Sequence, residues 1–265
     1  MNSLEQCMQQ PCEEKIDGNL DTGFLKALAL VFMLIDHLGA SLFPKILELR
    51  VIGRMAFPLY AWCLVVGSVK TRSPIRYGLR LLLLAVLSQP LYMMALNHSW
   101  ADMNILFTLC IALIAIQGIR LRWNGSQFWT PALCFLLLSV LKVDYGWKGI
   151  AFILILYFSR ESRSGLCAAF LANSLFWGSA SSTVQSLLGI DLSFANFGEL
   201  GTVLRAFLKL QGMIWLALPL VAFDTNTKLR MPKWIGYGLY PLHLVLLIIL
   251  KLMNGYTVQA LLRGF

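Results

Sequence analysis

The chain has 265 residues, of which 58% are hydrophobic and 13% charged, and a formal net charge of +9. With a mean hydropathy of +0.70, this composition lies far outside the range of soluble proteins. The apolar residues form long continuous blocks, which excludes the alternating pattern of a transmembrane barrel. The sequence therefore predicts an all-α fold, a polytopic transmembrane helical bundle whose helices satisfy their own backbone hydrogen bonds.

The composition divides the chain into three regions. Residues 1–22 contain five acidic residues and lack the basic region and cleavage site of a signal peptide, so we expect a cytoplasmic polar tail. Residues 23–254 are expected to form a single transmembrane domain, and residues 255–265 a short C-terminal tail. The sequence shows no internal repeat and no linker that would separate a soluble domain.

Nine apolar blocks follow one another along the chain, and each predicts a helix. They are residues 24–42, 51–69, 78–96, 104–119, 128–142, 147–159, 164–181, 202–223 and 235–253. About nine spans are therefore expected, although the fifth and sixth blocks are short enough for one of them to be re-entrant or tilted. Residues 182–201 are of mixed composition and are expected to form an amphipathic helix on the outer surface.

Basic residues concentrate in every second polar break, after the second, fourth, sixth and eighth blocks. They are Lys70, Arg72 and Arg76; Arg120 and Arg122; Arg160 and Arg163; and Lys228, Arg230 and Lys233. This alternation is the positive-inside pattern, which predicts a cytoplasmic N-terminus. It also accounts for the net charge without a nucleic acid partner.

Motifs for common cofactors are missing from the sequence. The six cysteines have neither CxxC nor Cys/His spacing, so no metal site is expected. A phosphate-binding loop, a dinucleotide fingerprint and a GxSxG element are also absent, which leaves the use of ATP or NAD and serine hydrolase chemistry without support.

The first apolar block carries two ionisable residues, Asp36 and His37, and such residues inside a membrane segment mark functional sites. Arg54 is the expected partner of Asp36, because a buried carboxylate without a cation would become neutral. His37 then remains free to take a proton from an acceptor, as acyl transfer requires. A purely structural ion pair is the alternative for Asp36 and Arg54.

Other polar residues are expected at a similar depth, in the outer half of the bundle. Gln89 lies toward the end of the third block, Asn104 opens the fourth and Asp144 precedes the sixth, while Tyr240 and His243 share one face of the ninth. We expect these five residues to line one outer cavity and to bind substrate. Hydrogen bonding between helices is the alternative for Gln89, Asn104 and His243.

Six strings occur in an order that resembles the TraX family. They are LKALALVFMLIDHLG (25–39), IGRMAFPLYAW (52–62), LSQPLY (87–92), MNILFTL (103–109), DYGWKG (144–149) and YGLYPLHL (237–244). The resemblance covers about residues 25–246. The motif residues of the family correspond here to Asp36, His37, Gly53, Arg54, Asn104, Asp144, Tyr145, Gly146, Tyr240 and His243.

The resemblance implies a multi-pass acyltransferase of the bacterial inner membrane, with acetyl-CoA as co-substrate and no metal or nucleotide cofactor. The acceptor would be a pilin-like protein, a glycan or a small molecule at the outer face, and membrane lipid would surround the bundle. In this hypothesis His37 is the general base toward the acceptor, and Asp36 with Arg54 sets the local charge.

A cytosolic donor also needs a site for its phosphates, and Arg72, Arg76 and Arg80 lie together at the inner face. Topology alone also explains these basic residues. Two further functions remain open for the chain: a proton-coupled transporter, and a noncatalytic membrane subunit of a conjugation or secretion system.

Overall fold

The computed structural model describes residues 15–178, 183–184, 186–187, 190–191, 198–227, 229 and 232–262. These residues are mostly helical, which confirms the all-α part of the predicted fold. The helices are α1 Thr22–Ser41, α2 Leu47–Gly53, α3 Ala56–Lys70, α4 Pro74–Leu96, α5 Ile105–Leu121, α6 Ser126–Leu137, α7 Gly146–Ser159, α8 Arg163–Gly178, α9 Gly198–Phe207, α10 Leu218–Ala222, α11 Lys233–Met253 and α12 Val258–Leu261, with 3₁₀ turns at Trp123–Gly125 and Gly212–Ala217.

In the described part of the chain, four short strands form two pairs between the helices. Strand β1 (Asp102–Met103) pairs in parallel with β2 (Lys142–Val143), and β3 (Ser186–Leu187) pairs antiparallel with β4 (Ile190–Asp191). The first pair joins the start of α5 to the start of α7. Half of residues 182–201 lie outside the described residues, as do most of the predicted N-terminal tail and the basic residues Lys228 and Arg230. The described part of this segment contains β3, β4 and the first turn of α9, so the prediction of a single amphipathic helix over 182–201 is wrong there.

Within the described residues, four helical segments are long and apolar enough to cross a membrane: Thr22–Ser41, Leu47–Lys70, Pro74–Leu96 and Gly236–Met253. Shorter apolar helical segments occur at Ile105–Leu121, Gly146–Ser159 and Gly212–Ala222. The fifth and sixth predicted blocks correspond to α6, of 12 residues, and α7, of 14 residues. At 1.5 Å per residue these helices are only about 18 and 21 Å long, shorter than the roughly 30 Å hydrocarbon core.

The eighth predicted block does not form a single helix. Helix α9 ends at Phe207, and the chain then makes a turn before the 3₁₀ segment that begins at Gly212. Gly212 packs closely against α9, because a Cβ there would come within 2.6 Å of the Ala206 carbonyl oxygen. The polar residues Lys209 and Gln211 interrupt the apolar run at this turn, and hydropathy alone does not reveal the break.

Side chains and prolines define where several helices start. The Asp21 carboxylate accepts a hydrogen bond from Phe24 N at 3.2 Å and caps α1. Asn104 Oδ1 accepts from Leu106 N at 3.0 Å and caps α5, while Pro74 occupies the first position of α4. The Asp21 and Asn104 side chains accept hydrogen bonds from backbone N–H groups that have no partner within their helices. Pro74 has no N–H group and so leaves no such donor at its position.

Helix α3 lies at the centre of the bundle. Eleven of its 15 residues are buried, as expected for a helix that is apolar on all sides. It packs against α1, α5 and α7, and the large side chains Phe57 and Trp62 are almost completely buried. The other helices surround this core.

The helices place two sets of loops at opposite ends of the bundle. At the first end, Arg120 donates a hydrogen bond to Ser68 O, and Asp17 N donates to Arg160 O at 2.7 Å. We call this end the basic end, since it carries the Lys- and Arg-rich loops. The other end, which we call the site end, contains the carboxyl ends of α1, α4 and α11 and the amino ends of α2, α5 and α7.

The segment before α1, residues 15–21, runs across the basic end. Asn19 N donates to Val221 O at 2.7 Å, and the Asn19 side chain donates to Leu220 O at 2.8 Å. The indole of Trp62 in turn donates to Asn19 O at 2.7 Å. Asn19 thus connects the start of the chain to α10 and to the central helix α3.

Candidate functional site

Asp36 is held by two arginine side chains at the site end. Arg54 Nη2 lies 2.7 and 2.8 Å from the two carboxylate oxygens, and Arg50 Nη1 lies 2.8 Å from Oδ2 and 3.1 Å from the Asp36 carbonyl oxygen. Asp36 and Arg54 are both buried. The structure confirms the predicted Asp36–Arg54 contact and adds Arg50 to it. Charge-assisted hydrogen bonds of this kind fix three side chains in one geometry.

Gly53 allows this arrangement by bringing α2 into direct contact with α1. A Cβ at Gly53 would overlap the Cβ and carboxylate of Asp36. Arg50 and Arg54 are one helical turn apart, so both guanidinium groups reach the same side of α1. Arg54 also donates from Nη1 to Gln211 Oε1 at 3.2 Å, which connects the ion pair to the turn after α9.

Replacing Gly53 with alanine is expected to destabilise the protein by about 1–3 kcal/mol, because the added methyl group overpacks the α1–α2 contact. Gly78→Ala is the matched control, since a Cβ at Gly78 would meet only Leu113 Cδ2, at 3.7 Å. Thermal unfolding of the purified protein in a mild detergent measures both. Equal unfolding midpoints for the two variants would contradict the assigned role of Gly53.

The imidazoles of His37 and His243 face each other across the α1–α11 contact. His37 Nδ1 and His243 Nε2 are 3.2 Å apart, and the ring centroids are 5.2 Å apart. The ring of Tyr240 lies edge-on to His243, with centroids 5.1 Å apart. Because one of the two facing nitrogens donates and the other accepts, each histidine fixes the tautomer of its partner.

A cavity of about 580 Å³ lies beside this histidine pair. Five residues of the predicted site line it: Asp36, His37, Arg54, Asp144 and Tyr240. His243 stands immediately behind His37. The structure therefore brings the three predicted catalytic residues and three of the five predicted substrate-binding residues together around one cavity.

Asp144 reaches the cavity from a strained turn that precedes α7. Tyr145 and Gly146 both have left-handed backbone conformations, with φ of 62° and 53°. Asp144 N donates to Met103 O at 2.9 Å, and the Tyr145 ring stacks on Phe57 with centroids 4.1 Å apart. Strain in a non-glycine residue persists only where its surroundings enforce it, and here the strand pair and the aromatic stack do so.

Removal from water raises the pKa of the Asp144 carboxyl group to about 6, although the neighbouring Arg54 and Arg50 oppose the shift. An acid whose pKa is higher in the folded state binds more protons there, so its contribution to stability falls as the pH rises from about 4 to 6. We expect wild-type protein to gain about 1 kcal/mol of stability relative to Asp144→Asn between pH 7 and pH 5.

Thermal unfolding of both proteins at pH 5 and pH 7 measures this difference. Because wild type and Asp144→Asn are compared at the same pH, the effects of groups that titrate equally in both proteins cancel. A stability difference that is the same at both pH values would contradict the raised pKa of Asp144.

Gln89 and Asn104 lie outside the residues that line the cavity. Gln89 Oε1 accepts hydrogen bonds from Asn104 N and Nδ2, at 3.1 and 2.9 Å. Asn104 Nδ2 also donates to Ala85 O, and Gln89 Nε2 donates to Asp102 O, both at 2.9 Å. The two side chains connect α4 to the start of α5 by hydrogen bonds, which is the alternative to substrate binding given above. Neither side chain lines the cavity in which we expected them to contact substrate.

The three arginines predicted to bind coenzyme A lie at the basic end, away from the histidines. Arg72, Arg76 and Arg80 are exposed at the start of α4, and Arg76 Nε donates to Ser73 Oγ at 3.1 Å. Nearby lies a second cavity of about 660 Å³, which we call the inner cavity. Tyr77, between these arginines on α4, lines it, and Tyr240 lines both cavities.

Several cavity residues escaped the sequence analysis. Arg50, His98 and Lys251 line the cavity together with the predicted residues. Arg50 precedes Arg54 by one helical turn and Lys251 follows His243 by about two, so helical periodicity from the predicted residues indicates both. For His98 no such signal exists, because it lies in the turn after α4.

Sequence comparison finds relatives of this chain among known proteins. The chain is 26% identical over 240 residues to the uncharacterized protein RP591 of Rickettsia prowazekii (strain Madrid E), covering 88% of this chain and 91% of that protein. It is 32% identical over 162 residues to the probable fimbrial assembly protein FimC, serogroup H1, of Dichelobacter nodosus, covering 56% of this chain and 66% of that protein.

No solved structure matches the chain. The family model described as TraX protein matches residues 21–251, which include every residue that lines the cavity. Because this match extends over most of the sequence, the chain belongs to the TraX family.

Proposed function

We propose that this protein is an integral membrane acetyltransferase of the bacterial inner membrane. It moves an acetyl group from cytosolic acetyl-CoA to an acceptor at the outer face. The observation that carries the proposal is the pair of imidazoles, 3.2 Å apart, of which His37 lines a cavity that also contains the Asp36–Arg54 ion pair. A general base held in one tautomer beside fixed positive charge is what acyl transfer needs.

The topology in this proposal has nine crossings with the N-terminus in the cytoplasm. The loops after α3, α5 and α7 all carry arginine or lysine and all lie at the basic end, in agreement with the positive-inside pattern. The shorter helices α6 and α7 pack against α5 within the bundle, so their ends meet protein as well as lipid. The site end then faces the outside.

The acceptor loses a proton as it attacks, and His37 is the base that takes it. In the tautomer in which His37 Nδ1–H donates to His243 Nε2, the lone pair of His37 Nε2 remains free. The amine or hydroxyl of the acceptor attacks the thioester carbonyl carbon and gives its proton to this nitrogen. When the carbon–sulfur bond breaks, the proton passes from His37 to the departing thiolate of coenzyme A.

The negative charge that develops on the carbonyl oxygen needs a donor. Tyr240 lines both cavities, and its hydroxyl is buried with no hydrogen-bond partner among the described residues. It is therefore available to donate to this oxygen, and Arg54 adds positive charge. The donor thioester comes from the inner cavity, and Arg72, Arg76 and Arg80 bind the coenzyme A phosphates at its cytosolic side.

The likeness to the Dichelobacter nodosus protein, whose name describes a probable fimbrial assembly protein, favours a pilin-like acceptor. A glycan and a small molecule remain alternatives. In the pilin case the acceptor atom is an amine, and in the glycan case a hydroxyl. His37 serves both, since each must lose one proton.

The test is transfer of label from radioactive acetyl-CoA into the protein, glycan and small-molecule fractions of membranes that contain this chain. Membranes with His37→Ala at the same protein level are compared with the matched surface variant Lys45→Ala. Label that depends on His37 and survives Lys45→Ala supports the proposal, and the labelled fraction identifies the acceptor class. Equal label in all three membranes would refute it.

One observation favours a second function, proton-coupled transport. The inner cavity and the cavity beside the histidine pair share Tyr240. Movement of this one side chain would connect the two cavities across the bundle. Proton uptake by liposomes that contain the purified chain, in the absence of acetyl-CoA, distinguishes this function from acetyl transfer. A flux that His37→Ala abolishes would favour transport.

A further inference from the structure

The cavity at the site end has an excess of positive charge. Four cationic side chains line it, Arg50, Arg54, Lys148 and Lys251, against the two carboxylates Asp36 and Asp144. Four minus two leaves two positive charges when the histidines are neutral. The proposed acyl transfer uses the positive charge of Arg54 alone, so the other cationic side chains call for another explanation.

The arginines and the lysines differ in how they are paired. Arg50 and Arg54 both contact Asp36. Neither Lys148 nor Lys251 has a carboxylate within 4 Å among the described residues, and Lys148 Nζ lies 5.2 Å from the centroid of the Phe176 ring. The two lysines therefore lack the carboxylate contact that both arginines have.

Lys251 is the more unusual of the two, because it is only 1% exposed. Its closest polar partner is the neutral Asn97 Oδ1, at 3.5 Å, and its ammonium group lies 5.5 Å from the centroid of the Tyr256 ring. A buried ammonium group without a counterion costs several kcal/mol unless an anion compensates it. The side chain does not extend to the outer surface but lines the cavity.

We propose that this cavity holds an anionic group of the acceptor, a phosphate or a carboxylate, with Lys251 and Lys148 as its ligands and Arg50 beside them. The assignment to the acceptor rests on the proposed function, while the anion site itself does not. An anion held here orients the acceptor nucleophile toward the His37–His243 pair. Acceptors that lack a negative charge near the nucleophile would then be poor substrates.

The first experiment measures anion binding by the purified full-length chain in a neutral detergent. Thermal unfolding is followed while inorganic phosphate replaces chloride at constant ionic strength, and acetate is used in a parallel series. A ligand that binds only the folded state raises the unfolding midpoint with its concentration. We expect phosphate, acetate or both to raise the midpoint of the wild-type chain.

The variants decide whether the lysines are responsible. Lys251→Met keeps the length of the side chain and removes the buried charge, a change that folded proteins often tolerate well. We expect it to abolish the anion-dependent shift, Lys148→Met to reduce it, and the exposed Lys45→Met to leave it unchanged. The same shift in all four proteins, or no shift in the wild type, would overturn the proposal.

Two further measurements test whether the bound anion belongs to the acceptor or to coenzyme A, and whether anion binding and acetyl transfer can fail independently. Coenzyme A is added in place of phosphate, and a shift that depends on Lys251 would assign the anion to the donor and overturn the assignment to the acceptor. If no membrane transfers label but the phosphate shift still depends on Lys251, acetyl transfer fails and the anion site stands. If label is transferred equally by wild type and Lys251→Met, the acceptor site is refuted and acetyl transfer stands.

Discussion

Asp36→Asn is expected to lower the free energy of unfolding by about 3–5 kcal/mol, the usual cost of removing one partner of a buried ion pair. The asparagine amide leaves two guanidinium groups without a carboxylate, and Arg54 is only 6% exposed. Its remaining partner, Gln211, is neutral. Thermal or denaturant unfolding of the purified chain in a mild detergent measures the loss.

Asp102→Asn is the matched control for this variant. Asp102 also forms an ion pair, with Lys142, but that lysine is 77% exposed, and pairs in water contribute at most about 1 kcal/mol. A double variant, Asp36→Asn with Arg54→Gln, is expected to recover part of the loss, because it removes one of the two unpaired charges. Equal destabilisation by Asp36→Asn and Asp102→Asn would contradict the buried pair.

His37→Ala is expected to reduce acetyl transfer by a factor of about 10²–10⁴, the usual contribution of a general base, with little change in the unfolding midpoint. His37 is half-buried on the cavity wall, so its removal leaves space that water can fill. Initial rates of label transfer at saturating acetyl-CoA measure the effect.

His243→Ala distinguishes a base from its positioning partner. His243 lies behind His37 and fixes its tautomer, so we expect a smaller loss of rate together with a changed pH profile. Replacement by asparagine, whose amide oxygen can accept the His37 Nδ1–H hydrogen bond, is expected to restore part of the rate. A loss for His243→Ala that equals the loss for His37→Ala, with an unchanged pH profile, would contradict the division of roles.

The sequence predicted the centre of the site because the membrane leaves few alternatives. Asp36 interrupts a long apolar block, and a carboxylate in that position requires a cation. Arg54 was the nearest one that opens an apolar block, and the structure confirms the contact. His37 and His243 were placed at one cavity for the same reason, and the structure adds that they contact each other.

The parts that sequence analysis did not predict depend on contacts between distant segments. Helical periodicity places Arg50 on the same face as Arg54, but its contact with Asp36 depends on the close packing of α2 on α1 at Gly53. The break between α9 and the 3₁₀ segment at Gly212 likewise depends on close packing. Hydropathy measures the affinity of a segment for lipid, and it carries no information about which helices touch.

Asn19 has a consequence for how the chain is made. Its backbone and side chain donate to Val221 and Leu220, about two hundred residues later in the sequence. Until those residues leave the ribosome, the amide groups of Asn19 lack their final partners. The contacts that hold the start of α1 at the basic end can therefore form only after α10 has been synthesised. Before that point this end of the bundle is incompletely packed, and partly folded chains of this kind are prone to misassembly.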